Sequence, residues 1–206
     1  MLGSRWTLLI VRELLIAPRR FSELHRPLPG ISTSVLSDRL AGLERKGIVR
    51  RRELPPPTSA TVYELTPAGR DLLPAVIELS RWGLRYLEAP RPDDHVDPGW
   101  IWIGLVCFAR RGASPARTVN VTVPDEGRDH CFTVVGGSQG TSVRNELSDA
   151  DVSITAPTPV VLGLASGGLD PEEAIRSGAL RAEGNLAALA DFPSLFDIQP
   201  RESQGA

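Results

Sequence analysis

Cysteine is almost absent from this chain: Cys107 and Cys131 are the only two in 206 residues. Two cysteines cannot build a disulfide framework, and a reducing, cytoplasmic compartment is the expectation. Histidine is nearly as scarce, with three. His130-Cys131 lies twenty-four residues beyond Cys107, a spacing that fits no recognised metal site, so neither metal nor cofactor is expected. No His-Glu-x-x-His pattern, phosphate-binding glycine loop or nucleophile elbow is read, which removes the usual starting points for an enzyme. Long hydrophobic runs are missing too. Leu8–Val11 is followed by Arg12 and Glu13 before Leu14–Ile16 resumes, and a charged pair in so short a run excludes a membrane span. Without a basic lead or a small-residue cleavage site, no signal peptide is expected. There is no internal repeat.

What the chain does have is a core-forming composition, 41% hydrophobic, and a charge asymmetry hidden by its net −2. Residues 1–90 hold 14 Lys and Arg against 9 Asp and Glu, a balance of +5; residues 91–206 hold 9 against 16, a balance of −7. A basic half joined to an acidic half points the first toward a polyanion and the second away from one. Between them, Ala89-Pro90-Arg91-Pro92-Asp93-Asp94 lacks apolar periodicity and reads as a linker. The division is 1–88, a linker at 89–97, a second domain at 98–198 and a tail at 199–206.

In the first half, Ser4 is expected to cap a helix with Trp6, Ile10 and Leu14 on one face, ended by Ala17-Pro18. Phe21 to Arg26 gives a short second helix, stopped by Pro27, Pro29 and Gly30. Ser32 caps a third, with Leu36, Leu40 and Leu43 as its apolar stripe and Gly47 at its end. Two helices around a Pro/Gly turn fit a helix-turn-helix. The third helix exposes Ser32, Thr33, Ser34, Ser37 and Asp38 near its N-terminus, the end that meets base edges when such a helix enters the major groove. Arg39, Arg45 and Lys46 are placed to reach phosphates; the plain alternative is a solvated helix face. Two β-prone runs, Ile48–Leu54 and Thr61–Leu65, flank Pro55-Pro56-Pro57 and form a hairpin, the wing of a winged helix. Its Arg50, Arg51 and Arg52 suit phosphate contact, or simply protect an edge strand by charge. Thr66-Pro67 opens a last helix, with Pro74 kinking or restarting it. Trp82 and Tyr86 on that helix need a partner surface, a dimer interface by preference, the second domain otherwise.

The run Gly3–Ile10, Arg12-Glu13-Leu14, Pro18–Leu24, Leu28-Pro29-Gly30-Ile31-Ser32, Arg39-Leu40, Leu43-Glu44, Gly47-Ile48-Val49, Tyr63-Glu64-Leu65-Thr66, Gly69 and Trp82-Gly83 resembles the HxlR family of winged-helix regulators. The resemblance implies a homodimer on an inverted-repeat operator in double-stranded DNA. Two departures stand out. Family members usually carry one more helix before the Gly-x-x-Trp segment, often with a redox-sensing cysteine, and here either a late start or a lost helix is expected, without a cysteine switch. The wing tip, Thr58-Ser59-Ala60-Thr61, lacks the arginine often found there, so minor-groove reading by the wing is not expected.

In the second half, Asp97-Pro98 opens Trp100–Phe108, a buried helix or, since it has no polar face, a buried strand. Val119, Val121 and Val123 alternate with polar residues, as do Phe132 and Val134; Thr141–Asn145, Asp151–Thr155 and Leu180–Gly184 add further strands. Thr158-Pro159 and the capping box Asp170-Pro171-Glu172-Glu173 start helices, and Asn185 is expected to cap a final one. Leu162, Ser166-Gly167, Asp170–Ile175, Ser177-Gly178, Leu180, Glu183-Gly184 and Leu189 resemble the end of a sterol carrier protein type two domain. That resemblance implies an α+β fold, a bent five-stranded sheet covered by helices, with a tunnel for an apolar or amphipathic small molecule. Trp100, Trp102, Leu105, Phe108, Phe132, Leu162, Phe192 and Phe196 are its candidate lining, or merely core. The combined expectation is an α+β transcription regulator, not an enzyme and not a membrane protein. The alternative is a lipid or metabolite carrier whose winged helix serves only for dimerisation.

Overall fold

Local sequence rules account for most of the helix boundaries in the computed structural model, which describes residues 3–56, 59–84, 86, 97–125 and 129–198. The chain forms two compact units, Met1–His95 and Val96–Ala206. Most of the expected linker and the whole expected tail lie outside the described residues.

In the first unit, helix α1 spans Thr7–Ile16. Ser4 does not cap it with its side chain. The chain instead turns through Trp6 in the left-handed region, φ 75°, and the Thr7 N–H donates to the Ser4 carbonyl at 3.1 Å. A backbone turn thus replaces the expected hydroxyl. Helix α2 covers Phe21–His25, with the Glu23 carboxylate accepting from the Arg20 N–H at 2.8 Å. Helix α3, Thr33–Arg45, begins as expected, Ser32 Oγ accepting from the Val35 N–H, and buries Leu36, Leu40 and Leu43. Gly47 ends it at φ 68°, a conformation that favours glycine.

Strands β1, Val49–Glu53, and β2, Thr61–Leu65, pair antiparallel with Arg51 opposite Tyr63. Arg19 pairs with the free side of Tyr63 through two backbone hydrogen bonds, at 3.0 and 2.8 Å, and so ties the turn after α1 to the hairpin. Helix α4, Pro67–Arg70, is capped by Thr66, and α5, Leu73–Leu84, restarts with Pro74 in its first turn, where proline is tolerated. One core joins these elements, including Ile10, Leu24, Leu36, Leu40, Tyr63 and Val76.

The second unit resolves the doubt over its first segment: Trp100–Phe108 is helix α6, buried on nearly every side. Asp97, itself buried, accepts from the Gly99 N–H at 2.8 Å at its start. Strands β3 (Thr118–Val123), β4 (His130–Val135), β5 (Ser142–Arg144), β6 (Val152–Thr155) and β7 (Arg181–Gly184) form one sheet of order β5-β4-β3-β6-β7. Only β3 and β6 run parallel; the other neighbours are antiparallel. The register aligns Val121 with Phe132 and Ile154, and Val119 with Val134 and Val152, so alternation gathers one apolar face. Helices α6, α7 (Thr158–Ser166) and a closing 3-10 segment (Leu186–Leu195) supply Leu105, Val161, Leu164, Leu189 and Phe192, each at most 1% exposed. Helix α8, Pro171–Arg176, is capped by Asp170. The last helix departs from expectation: it is 3-10, Asn185 makes no side-chain cap, and Pro193 lies inside it, where the missing N–H disfavours a regular α-helix.

Candidate nucleic-acid interface and apolar core

Helix α3 holds its polar residues outward because Leu36, Leu40 and Leu43 anchor the opposite face. Ser32, Thr33, Ser34, Ser37 and Asp38 are all exposed in its first turns. Ser32 is partly spent, since its hydroxyl caps the helix and lies 3.0 Å from Ser34 Oγ. Arg39 is half-buried. Arg45 and Lys46 are exposed at the far end, about 17 Å along the axis from Ser34 at 1.5 Å per residue. Positive charge there also complements the helix dipole. The short polar side chains and these two cations are therefore separate features.

The wing arginines are not loose charges. Arg50 Nε and Nη2 lie 2.7 and 2.6 Å from Glu64 Oε1, and Arg52 Nε lies 2.8 Å from Oε2. Arg51 points to the other face, its Nε 3.0 Å from Glu44 Oε1 and its guanidinium 5.3 Å over the Tyr63 ring. Burial raises the Glu64 carboxyl pKa, but the hydrogen bonds and charges of Arg52 and Arg50 outweigh it and hold the group below the ordinary glutamate value. A second buried cluster sits between α1 and the hairpin. Glu13, fully buried, accepts from Arg12 Nε and Nη2 at 3.0 and 2.7 Å and lies 3.2 Å from Arg19 Nη2. Counting basic residues along the chain missed these carboxylates. The hairpin register, which sets Glu64 opposite Arg50, was the available signal. Of the expected wing tip, Ser59 through Thr61 are described and Thr58 is not.

In the second unit the eight candidate lining residues divide. Trp102, Leu105, Phe132, Phe192 and Phe196 are buried, and the last two rings meet edge to face at 5.3 Å. Trp100 and Phe108 are half-buried on α6. Leu162 stands apart, 40% exposed on the outer side of α7. The Trp102 Nε1–H is buried without a hydrogen-bond partner among the described residues. A separate groove of about 590 Å³ opens between α8 and the 3-10 segment, floored by Ile175 and Leu189 and edged by Leu186 and Arg176.

Gly136-Gly137-Ser138-Gln139-Gly140 has the Gly-x-Ser-x-Gly spacing, but it forms the turn between β4 and β5, closed by Gly140 N–H to the Gly137 carbonyl at 3.1 Å. A nucleophile elbow needs a strand running into a helix, and here a strand follows. No described helix is long and apolar enough to cross a membrane.

A three-helix core, a recognition helix and a two-stranded wing define the first unit as a winged helix-turn-helix of the DNA-binding regulator class. Residues 1–91 match the HxlR-like helix-turn-helix family and residues 111–197 the SCP-2 sterol transfer family. The uncharacterized HTH-type transcriptional regulator YvaP of Bacillus subtilis is 40% identical over 87 residues, 42% of this chain and 81% of that protein. The uncharacterized regulator Rv3095 of Mycobacterium tuberculosis is 44% identical over 93 residues, 45% of this chain and 57% of its own length. Among solved structures, the reduced form of the regulator YodB from B. subtilis is 36% identical, covering 44% of this chain and 88% of that one, with a TM-score of 0.38. The chain belongs to the HxlR family of helix-turn-helix transcriptional regulators, and it carries a sterol-carrier-type domain behind the winged helix.

Proposed function

We propose that this chain is a cytoplasmic transcription regulator that binds an inverted-repeat operator as a homodimer and responds to a small apolar or amphipathic ligand. Residues 1–88 are the DNA-binding domain, 89–97 the linker, 98–198 the ligand domain and 199–206 a tail. The observation that carries the DNA reading is the outward row Thr33, Ser34, Ser37 and Asp38 at the start of α3, backed by buried Leu36 and Leu40. Short polar side chains at that end of a recognition helix reach base edges, while Arg39, Arg45 and Lys46 supply backbone contacts. The reading requires neither metal nor cofactor, and no chemical step.

The ligand half rests on the match of residues 111–197 to the SCP-2 sterol transfer family and on Trp102. A buried N–H without an acceptor is costly and uncommon, and a ligand carrying one acceptor group would satisfy it. A ligand changes DNA affinity only if it prefers one arrangement of the dimer, and α5 with the linker after it is the covalent route for that bias.

The test starts from selection of duplex fragments by the purified full-length protein. Operator titrations follow, with and without an apolar fluorescent probe. Selective, salt-sensitive binding that shifts with the probe supports the proposal. Probe binding with no DNA selection would favour the carrier alternative, in which the winged helix only dimerises.

A further inference from the structure

Three arginines in a row on β1 present two different faces, and the contacts of each face are different. Alternation puts Arg50 and Arg52 on one side, with Glu64 directly across from Arg50 and diagonal to Arg52. Like charges two residues apart on one strand face repel, yet here one carboxylate joins them. Glu64 gives one oxygen to Arg50 and the other to Arg52. Its side chain is 6% exposed, whereas those of Arg50 and Arg52 are 60% and 43% exposed. Each guanidinium has five N–H donors in a fixed fork. Glu64 engages the Nε edge of both, which leaves further donors of each on the solvent side. Two guanidiniums and one carboxylate carry a net charge of +1, the complement of one phosphodiester.

We propose that Glu64 is a positioning residue that holds Arg50 and Arg52 as a single fork for one DNA backbone phosphate, and that Arg51 has no share in it. This rests on the DNA-binding reading above. Arg51 is neutralised by Glu44 of the recognition helix and lies over Tyr63, so its work is to fix the wing to α3. The gain from Glu64 is preorganisation: two long side chains are ordered before DNA arrives, and that ordering no longer opposes binding.

The experiment is a salt titration of full-length protein on a labelled duplex, read by fluorescence anisotropy, with melting curves as the folding control. Each phosphate neutralised contributes about 0.9 to the slope of log affinity against log salt. R50A and R52A should each lower the slope by about 0.9 per protomer, and the double variant by about the same, not twice as much. R51A should leave the slope unchanged. R52K keeps the charge, so its slope should stay near wild type, but it loses the Nε donor, and its affinity should fall several-fold at every salt concentration; its side chain is surface-exposed, so the comparison does not depend on a buried substitution. E64Q removes a negative charge. Simple electrostatics would then tighten DNA binding, whereas loss of the fork should weaken it several-fold. Tighter binding by E64Q, additive slopes for the two arginines, or wild-type affinity in R52K would each overturn the fork while leaving DNA binding intact. A wild-type chain that bound no duplex would overturn the DNA-binding reading and the fork together.

Discussion

Replacing Trp82 with Ala is expected to dissociate the proposed dimer while leaving the winged helix folded. Leu79, Trp82 and Tyr86 are 51%, 59% and 69% exposed, and the two rings lie 5.1 Å apart, centroid to centroid. Leu79 and Trp82, three residues apart, share one side of α5, and Tyr86, just past the helix end at Leu84, stands against Trp82. The exposed parts of the two rings amount to roughly 300 Å² per protomer, taking about 200–250 Å² for a whole aromatic side chain. A two-fold interface uses that patch twice, so roughly 600 Å² of apolar surface is at stake from the rings alone. Association costs prevent direct conversion of area to affinity, but a central Trp truncation typically costs at least about 2 kcal/mol. Two copies make that about 4 kcal/mol, or about a thousandfold in the dimer dissociation constant. Because Trp82 is not part of the folded core, the monomer should lose less than about 0.5 kcal/mol. Sedimentation across a dilution series gives the dissociation constant, and urea unfolding of dilute protein gives the monomer stability. An unchanged dissociation constant in W82A would remove this face of α5 from the interface.

Three further outcomes follow from the geometry. The folded pKa of Glu64 is depressed, so its contribution to stability is complete above the ordinary glutamate value of about 4.3 and is lost as pH falls through the lower folded value; E64Q should flatten this acid limb in melting curves, and an unaltered limb would assign it to other carboxylates. Gly69→Ala should destabilise the first unit by at least about 1–3 kcal/mol, because a Cβ there would run into the Ile48 carbonyl oxygen; a melting temperature equal to wild type would contradict that packing. In the second unit, Phe132→Ala should cost about 3–5 kcal/mol and reduce probe binding, whereas Leu162→Trp, on an exposed site, should leave both within error; a Leu162→Trp variant that lost probe binding would relocate the ligand to the outer side of α7.

Helix α3 was legible because three independent signals agreed: the Ser32 cap, the stripe Leu36-Leu40-Leu43 and the terminal Gly47. Strands β3 and β4 were legible from alternation, most clearly at Val119, Val121 and Val123. Other features needed tertiary information. Trp100–Phe108 has no polar face, so periodicity could not choose between helix and strand; burial on nearly all sides explains why no polar face is needed. The same problem hid the orientation of α7, where Val161 is buried and its neighbour Leu162 exposed. At Ser4 the cap residue was present, but the left-handed turn at Trp6 satisfied the helix start by backbone. The wing arginines were visible as a charge run, yet their electrostatic meaning depends on Glu64 and Glu44, fourteen and seven residues away in the chain. Composition sums charge without seeing pairs.

The second unit is closed by its own last segment. Ala109 bridges Phe196, Arg110 N–H donates to the Leu195 carbonyl at 3.0 Å, Asp197 N–H donates to the Phe108 carbonyl at 2.8 Å, and the Arg110 guanidinium lies 3.1 Å from Asp197. The first helix of the domain is thus clasped by residues synthesised after every strand of its sheet. During translation the winged helix can be complete while this clasp is still unmade, so the second domain can close only after the whole of the first has been made. A nascent or proteolytically shortened chain lacking 195–197 would be expected to keep the fold of the winged helix and lose the closed form of the other domain.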